Sequence, residues 1–165
     1  QYQLVIKPHP AELNPKIPET LERVEVALRD RGITVPENVL VLSPKVQLTV
    51  YDLIPHIAVG LVYTTTVGLE MAALGLPVIT SAKAPYRGFG FTYDPETSTD
   101  YFETLQECLS SPTPGIYDHW KELAYKYILF YQFHYYSNLG IAAFDGTWGG
   151  DVSLQSGICR RHLGR

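Results

Sequence analysis

The sequence predicts an α/β fold in which a Rossmann-like, doubly wound parallel sheet is followed by C-terminal helices. Short apolar runs rich in β-branched residues alternate along the chain with segments of helical periodicity. Strands and helices that alternate in this way are typical of βαβ units, which build parallel sheets. Because the connections are short, we expect one domain over residues 1–140. A Gly-rich, aperiodic tail over 141–165 is expected to be disordered.

The first part of the chain contains two predicted strands and two predicted helices. Residues 4–7 are apolar and β-branched, and the prolines that follow them end this strand. A helix over 18–31 has its apolar residues on one face and ends at Gly32. Residues 39–42 form a second buried strand, and a short helix follows over 48–56.

The next segment repeats the same order of elements. Residues 59–63 are predicted as the third strand, and residues 67–74 as a helix that Gly75 closes. The fourth strand covers 77–80. A loop rich in glycine and tyrosine then extends over 83–94.

Two further helices are predicted after this loop. The first covers 100–110 and begins with an acidic capping pair, Asp100 and Glu103. The second covers 117–139 and is rich in aromatic residues, which we expect to pack in a core.

Length and composition limit the class of protein. The chain has 165 residues, which is enough for one domain with its own core. A net charge of −4 argues against a nucleic-acid partner, because surfaces that follow phosphates need clustered Lys and Arg. The chain has neither an apolar run of roughly 18 residues nor a secretory signal, and Cys108 and Cys159 show no CxxC spacing. We therefore expect a reduced, cytoplasmic protein, and the abrupt apolar start suggests a fragment of a longer one.

The threonine turn, Thr64, Thr65 and Thr66, is the most informative candidate site. Ligands of open parallel sheets bind beyond the carboxyl ends of the strands, and this turn joins the third strand to the next helix. Hydroxyls beside free backbone N–H groups and the positive end of a helix dipole favour phosphate binding. Gly68 permits close approach of a ligand or of another backbone. The alternative is helix capping, which explains one threonine and leaves two.

Three charged or titratable residues near these strand ends are further candidates. Glu70 can accept hydrogen bonds from both hydroxyls of a ribose, or it is a solvated carboxylate that the helix dipole favours. Lys7 and His9 follow the first strand, where two prolines restrict the backbone. Both can contact a diphosphate, and His9 can protonate a leaving group. The alternative for His9 is a structural role.

The loop after the fourth strand contains Tyr86, Arg87, Gly88 and Gly90. Glycines and aromatic rings at a strand end can surround a sugar or a base, and Arg87 adds a positive charge. The alternative is a packed surface loop that closes the sheet.

Metal and cofactor sites are not expected. His56, His119 and His134 share no metal-ligand spacing with one another or with nearby carboxylates. Neither a Walker A motif nor GxGxxG is present.

Five motifs follow one another along the chain: Lys7-x-His9-Pro10, Tyr51-Asp52-Leu53-Ile54, Thr64-Thr65-Thr66-Val67-Gly68-Leu69-Glu70, Gly75-x-Pro77-Val78 and Pro85-Tyr86-x-Gly88-x-Gly90-Phe91-Thr92. In this order they resemble the capsule polysaccharide biosynthesis family, GT-B-type glycosyltransferases similar to the β-Kdo transferases. The resemblance covers residues 4–109. The order of the motifs makes it specific, since each motif alone is weak.

The resemblance implies a two-domain enzyme of which this chain is most of the C-terminal, donor-binding half. It implies that His9, with Lys7 nearby, and two hydroxyls of the threonine turn contact the phosphate of a nucleotide sugar, and that Glu70 binds the ribose. The acceptor and the base then belong to an N-terminal domain. That domain, and the donor domain's first strand and helix, are expected to lie outside this sequence, so the chain alone is expected to be inactive.

The function expected from this resemblance is transfer of a sugar from a nucleotide, a CMP-activated acid such as Kdo, for synthesis of a capsular or other surface polysaccharide. The implied setting is a synthesis complex peripherally associated with the inner face of the membrane. One alternative keeps the fold and changes the chemistry, giving a sugar-nucleotide epimerase or a teichoic-acid-type glycerophosphotransferase. Another alternative is a non-catalytic module of a polysaccharide export complex.

Overall fold

The structure is a computed structural model that describes residues 2–9, 12, 23–110 and 116–131. The chain forms two compact units, Gln1–His56 and Ile57–Arg165, which we call the first unit and the second unit. Within the described residues, each unit contains one two-stranded parallel sheet together with helices.

The sheet of the first unit pairs β1 (Leu4–Ile6) in parallel with β2 (Val39–Val41). Helix α1 (Val24–Asp30) lies between these strands in the sequence. Gly32 follows the helix with a φ of 63°, a left-handed conformation that glycine adopts without steric cost. The backbone hydrogen bonds at this end are those of a Schellman motif, which explains why the helix stops here.

A reciprocal capping box begins helix α2 (Val50–Leu53). The Thr49 N–H donates to the Asp52 carboxylate at 2.8 Å, and the Asp52 N–H donates to the Thr49 hydroxyl at 3.3 Å. The Thr49 hydroxyl also donates to the Asp52 carboxylate at 2.6 Å, and this bond, followed by that from the Thr49 N–H, stabilises the charged form and lowers the pKa of Asp52. A short 3₁₀ helix, Ile54–His56, continues the chain.

The second unit is built on β3 (Gly60–Val62) and β4 (Val78–Thr80), which pair in parallel. Helix α3 (Val67–Ala73) connects them. The segment around Tyr93 adds a parallel bridge to β4, because the Tyr93 N–H and carbonyl bond with the β4 backbone at 2.8 and 2.9 Å. With hydrogen-bonded neighbours on both sides, β4 is completely buried.

Two longer helices follow, α4 (Ser98–Ser110) and α5 (Ile116–Phe130). The cap of α4 differs from the expected pair of Asp100 and Glu103. Thr97 and Asp100 form the reciprocal hydrogen bonds instead, at 3.2 and 3.1 Å, and the helix starts at Ser98. A capping box needs a hydroxyl three residues before the carboxylate, and Thr97 supplies it.

The core of the second unit lies where α3 and α5 meet the loop that follows β4. Tyr86 and Phe91 from this loop are almost completely buried, and so is Ala124 of α5. Large aromatic side chains thus provide much of the apolar surface that this unit buries.

The predicted strands and helices are found at their expected positions among the described residues, with ends shifted by a few residues. Residues 18–22, 132–139 and 141–165 lie outside the described part of the chain. The mixed α/β class with parallel pairing is confirmed. The single doubly wound sheet and the single domain over 1–140 stay predictions. None of the helices in the described ranges is long and apolar enough to cross a membrane.

Candidate functional site

The threonine turn joins the end of β3 to the start of α3. Thr64, Thr65 and Thr66 are all exposed, whereas Val62 before them and Gly68 after them are buried. The turn is therefore exposed between two buried residues, Val62 of β3 and Gly68 of α3, at the carboxyl end of a parallel strand.

One threonine supplies the helix cap. The Thr65 hydroxyl accepts a 3.3 Å hydrogen bond from the Val67 N–H, and the Thr65 carbonyl accepts one of 3.3 Å from the Gly68 N–H. Thr66 occupies the N-cap position in the helical region and makes no side-chain cap bond. The capping alternative thus accounts for the side chain of Thr65 and leaves those of Thr64 and Thr66 exposed.

Tyr86, a buried residue of the loop after β4, supports the turn through a hydrogen bond. Its hydroxyl donates a 2.6 Å hydrogen bond to the Thr65 carbonyl, and only 1% of the residue is exposed. Burial, followed by the negative charge of Asp94, raises the pKa of Tyr86 to about 12, so the hydroxyl stays a donor well above neutral pH. We assign Tyr86 to support of the turn, in place of the sugar or base contact expected from the sequence.

Gly68 provides the space that this support needs. A Cβ at this position would overlap the Tyr86 hydroxyl oxygen and would lie 2.9 Å from Cγ2 of Val62. The close approach that the sequence predicted is therefore made by the tyrosine ring of the same chain.

Arg87 holds the loop after β4 to the strand itself. One guanidinium nitrogen donates to the hydroxyl of Thr80 at 3.1 Å, and the other donates to the carbonyls of Asp94 and Pro95 at 2.9 and 2.7 Å. It also pairs with the exposed carboxylate of Glu96 at 3.2 Å. Arg87 therefore holds the loop, with its side chain 16% exposed, and the ligand contact expected from the sequence stays a prediction.

Asp94, the last residue of this loop, also holds it in place. Its Oδ1 accepts hydrogen bonds from the hydroxyls of Thr80 and Thr92, both at 2.8 Å, and its Oδ2 accepts the Gly88 N–H at 2.7 Å. Gly88 and Gly90 have φ values of 83° and 81°, and both are exposed. The two glycines therefore shape the loop through their backbone conformation.

An aromatic layer connects this loop to α5. Tyr127 contacts the rings of Phe89 and Phe91, with centroid distances of 4.7 and 5.6 Å, and its hydroxyl donates to the Pro85 carbonyl at 2.9 Å. These contacts support the alternative interpretation of the loop after β4, a packed surface loop, for its buried residues.

Sequence reasoning did not single out Asp94 or Tyr127. Asp94 stood only as the end of the predicted loop, although aspartate is frequent in turns because its carboxylate accepts hydrogen bonds from nearby backbone groups. Tyr127 was assigned only to core packing, and its bond to Pro85 spans 42 residues, so no local pattern points to it.

Glu70 lies in the first turn of α3 and is half-buried. Its backbone N–H donates to the Thr66 carbonyl at 3.2 Å, which is an ordinary helical bond. The expected contact between its carboxylate and a ribose stays a prediction.

Lys7 and His9 belong to the first unit, where they follow β1. Lys7 is half-buried, Pro8 between them is buried, and His9 is exposed. The His9 carbonyl accepts a 3.0 Å hydrogen bond from the Glu12 N–H, so the backbone turns here. Their action on the same ligand as the threonine turn stays a prediction.

A cavity of about 240 Å³ lies in the first unit. Its charged lining consists of two acids, Glu12 and Glu25, and two bases, Arg23 and Lys45. The formal charges of this lining therefore sum to zero.

Among the described residues, no group of three or more His, Cys, Asp or Glu side chains is placed to hold a metal ion. Comparison with known proteins adds no further assignment to these residues. No protein-family model, curated protein or solved structure matches the chain.

Proposed function

We propose that the chain binds a nucleotide sugar and forms the donor-binding part of a glycosyltransferase, with the threonine turn as its phosphate contact. The observation that supports this most directly is the hydrogen bonding of the turn. Thr65 caps the helix, while the side chains of Thr64 and Thr66 are exposed on either side of it. Hydroxyls at a strand–helix junction are well suited to donate to phosphate oxygens.

In the proposed reaction, the oxygen of an acceptor hydroxyl bonds to the sugar's anomeric carbon and its proton goes to the base of the N-terminal domain. The bond between that carbon and the phosphate oxygen breaks, and its electron pair goes to the phosphate. Hydroxyl donors at the turn stabilise the charge that develops there, provided that they are already oriented. Lys7 adds a positive charge, and the imidazolium form of His9 donates a proton to the leaving group and becomes neutral imidazole. This arrangement assumes the doubly wound sheet expected from the sequence.

In the proposal, the Glu70 carboxylate accepts hydrogen bonds from the ribose hydroxyls, which lie one helical turn from phosphates at the start of α3. The exposed backbone at Gly88 and Gly90 lines the sugar or base. By analogy with the capsule polysaccharide enzymes, the donor is a CMP-activated acid, and acceptor and base come from an N-terminal domain. The proposed setting is a polysaccharide synthesis complex at the inner face of the membrane.

Calorimetric titration of the full-length protein with CMP, CDP and UDP tests this proposal. Thr64→Val and Thr66→Val each remove a hydroxyl at nearly constant shape, and we expect each to weaken nucleotide binding about tenfold or more, the usual range for a hydrogen bond to a charged group. Thr99→Val, at an exposed position in α4, is the matched control and should leave binding unchanged.

The proposal fails if none of the three nucleotides binds, or if both turn variants bind as tightly as the wild type. His9→Ala tests the first unit separately. A weaker affinity in that variant supports the role of His9, and an unchanged affinity removes His9 from the site.

A further inference from the structure

We infer that Tyr86 is a positioning residue that sets the conformation of the threonine turn from a loop 21 residues further along the chain. The effect of this positioning on ligand affinity rests on the proposed function, whereas the positioning itself is a property of the free protein.

The two hydrogen bonds at the Thr65 carbonyl differ in length. The bond from the Tyr86 hydroxyl measures 2.6 Å, whereas the bond from the Gly68 N–H within the turn measures 3.3 Å. Short, well-formed bonds restrict an acceptor more than long ones do. The direction of this carbonyl, and with it the peptide plane between Thr65 and Thr66, is therefore set mainly by the tyrosine.

Two neighbouring features make the tyrosine a rigid support. Gly68 lacks the Cβ that would overlap the Tyr86 hydroxyl, so the ring reaches under the start of α3. The ring of Tyr86 is stacked on that of Phe91 with a centroid distance of 6.2 Å. A buried side chain with fixed neighbours has few alternative rotamers.

The loop that contains Tyr86 is itself held on both sides of the tyrosine. Arg87, the next residue, bonds to the Thr80 hydroxyl of β4, and the Pro85 carbonyl before it accepts the bond from Tyr127. The position of the tyrosine hydroxyl is thus determined by β4 and α5. Movement of the turn would require either these contacts to break or the Tyr86–Thr65 bond to break.

Thr64 and Thr66 are the exposed neighbours of Thr65, whose carbonyl Tyr86 holds. A change in the backbone dihedral angles of Thr65 would alter the direction of the Thr66 side chain relative to that of Thr64, and a ligand would then have to order the two side chains on binding. Because ordering groups on binding costs affinity, the tyrosine is expected to favour ligand binding without touching the ligand.

Tyr86→Phe in the full-length protein tests this inference, since it removes the hydroxyl and keeps the ring. By NMR of the ligand-free protein, we expect the Thr65 carbonyl carbon resonance to shift. Exchange of the Val67 and Gly68 amide protons should become faster by about fivefold, as for loss of one hydrogen bond. Exchange of the Ile79 and Thr80 amides in β4 serves as the reference for opening of the whole unit.

Tyr125→Phe is the matched control, because it removes a tyrosine hydroxyl from α5 at a site 48% exposed, away from the contacts that fix Tyr86. This variant should leave the Thr65 carbonyl resonance and the Val67 and Gly68 exchange rates, relative to β4, unchanged. If Tyr86→Phe also leaves them unchanged, or if both variants alter them equally, the inference is overturned.

Titration with CMP separates this inference from the proposed function. Weaker CMP binding in Tyr86→Phe than in Tyr125→Phe, with the altered turn, supports both. If the wild type binds no nucleotide but the turn signals change in Tyr86→Phe alone, the positioning role is supported and the proposed function fails. Nucleotide binding by the wild type together with unchanged turn signals in Tyr86→Phe overturns only the positioning role.

Discussion

The backbone N–H of Gly88 donates a 2.7 Å hydrogen bond to Oδ2 of Asp94, six residues further along the chain. The other carboxylate oxygen of Asp94 accepts from two threonine hydroxyls, so both oxygens are engaged with donors. This carboxylate closes the loop that places Tyr86 beneath the threonine turn. The loop is therefore held by a side chain that only accepts hydrogen bonds.

Asp94→Asn is expected to destabilise the protein, because an amide presents two N–H donors where the carboxylate has an acceptor. In either orientation, the NH₂ group faces the Gly88 N–H or the threonine hydroxyls. We expect a loss of about 1–3 kcal/mol in the free energy of unfolding, the range for leaving a partly buried group unsatisfied. Urea denaturation followed by circular dichroism measures this change.

Asp30→Asn is the control for the change of charge. Asp30 forms an ion pair with Arg29 at 3.1 Å, and both side chains are more than half exposed. Exposed pairs contribute about 0–1 kcal/mol, so this variant should be close to the wild type. Equal losses in the two variants would mean that the carboxylate of Asp94 has no special role in the loop.

Arg87→Lys is expected to cost about 1–3 kcal/mol in the free energy of unfolding. A single ammonium group cannot reach the Thr80 hydroxyl and the carbonyls of Asp94 and Pro95 together, whereas the planar guanidinium donates to all three. The ion pair with Glu96 contributes little, because the Glu96 side chain is 86% exposed.

Glu96→Gln removes the ion pair and keeps the other contacts of Arg87, and we expect it to change the free energy of unfolding by less than about 0.5 kcal/mol. Thermal unfolding at low and high salt measures the stability of both variants. A larger loss in Glu96→Gln than in Arg87→Lys, or a loss in Arg87→Lys that salt removes, would show that the exposed ion pair and not the carbonyl contacts holds the loop.

The elements could be predicted from the sequence because their signals are local. Gly32 and Gly75 were expected to end helices, and both adopt left-handed φ values, 63° and 83°, immediately after α1 and α3. The cap of α4 was misassigned because two nearby carboxylates were considered without the hydroxyl of Thr97, three residues before Asp100.

The threonine turn could be located for the same reason, since a strand end followed by a helix start is visible in the local pattern. Its support could not be predicted. Tyr86 reaches Thr65 across 21 residues, and the motif that singles it out in the sequence predicted contact with a sugar or a base instead. The space at Gly68 has the same non-local origin: the sequence predicted close approach of a ligand or another backbone and gave no sign of the tyrosine ring.

A double-mutant cycle tests the contact between Gly68 and Tyr86. Gly68→Ala alone is expected to cost about 1–3 kcal/mol by overpacking, because its Cβ would overlap the tyrosine hydroxyl. In the Tyr86→Phe background the overlapping oxygen is gone, and we expect a coupling of about 1 kcal/mol. The contact with Cγ2 of Val62 at 2.9 Å remains, so the rescue is partial.

Gly75→Ala provides the control cycle. Its cost comes from the left-handed φ of 83°, and its nearest atom is the Lys121 Cδ at 3.9 Å, so its effect should add to that of Tyr86→Phe. Chemical denaturation of the six proteins gives both coupling energies. Additivity in the Gly68 cycle would contradict the close contact.

The buried tyrosine hydroxyl also predicts how stability depends on alkaline pH. Burial raises the pKa of Tyr86 from its ordinary value of 10.0 to about 12 in the folded protein. Between these values the folded protein keeps a proton that the unfolded chain has lost, so raising the pH favours the unfolded chain. The contribution of this group is complete below pH 10 and is lost as the pH rises toward 12.

Tyr86→Phe should therefore be less stable than the wild type below pH 10, yet lose less stability from there up to about pH 12. Urea denaturation at pH 8, 10 and 11.5 gives the slope of the free energy of unfolding against pH for the wild type and for the variant. Burial also raises the pKa values of Tyr93, Tyr101, Tyr127 and Cys108, which remain in the variant and contribute to the residual slope. Tyr125→Phe, at a site 48% exposed, should keep the wild-type slope. If Tyr86→Phe keeps it as well, the hydroxyl is accessible to water and does not hold the turn.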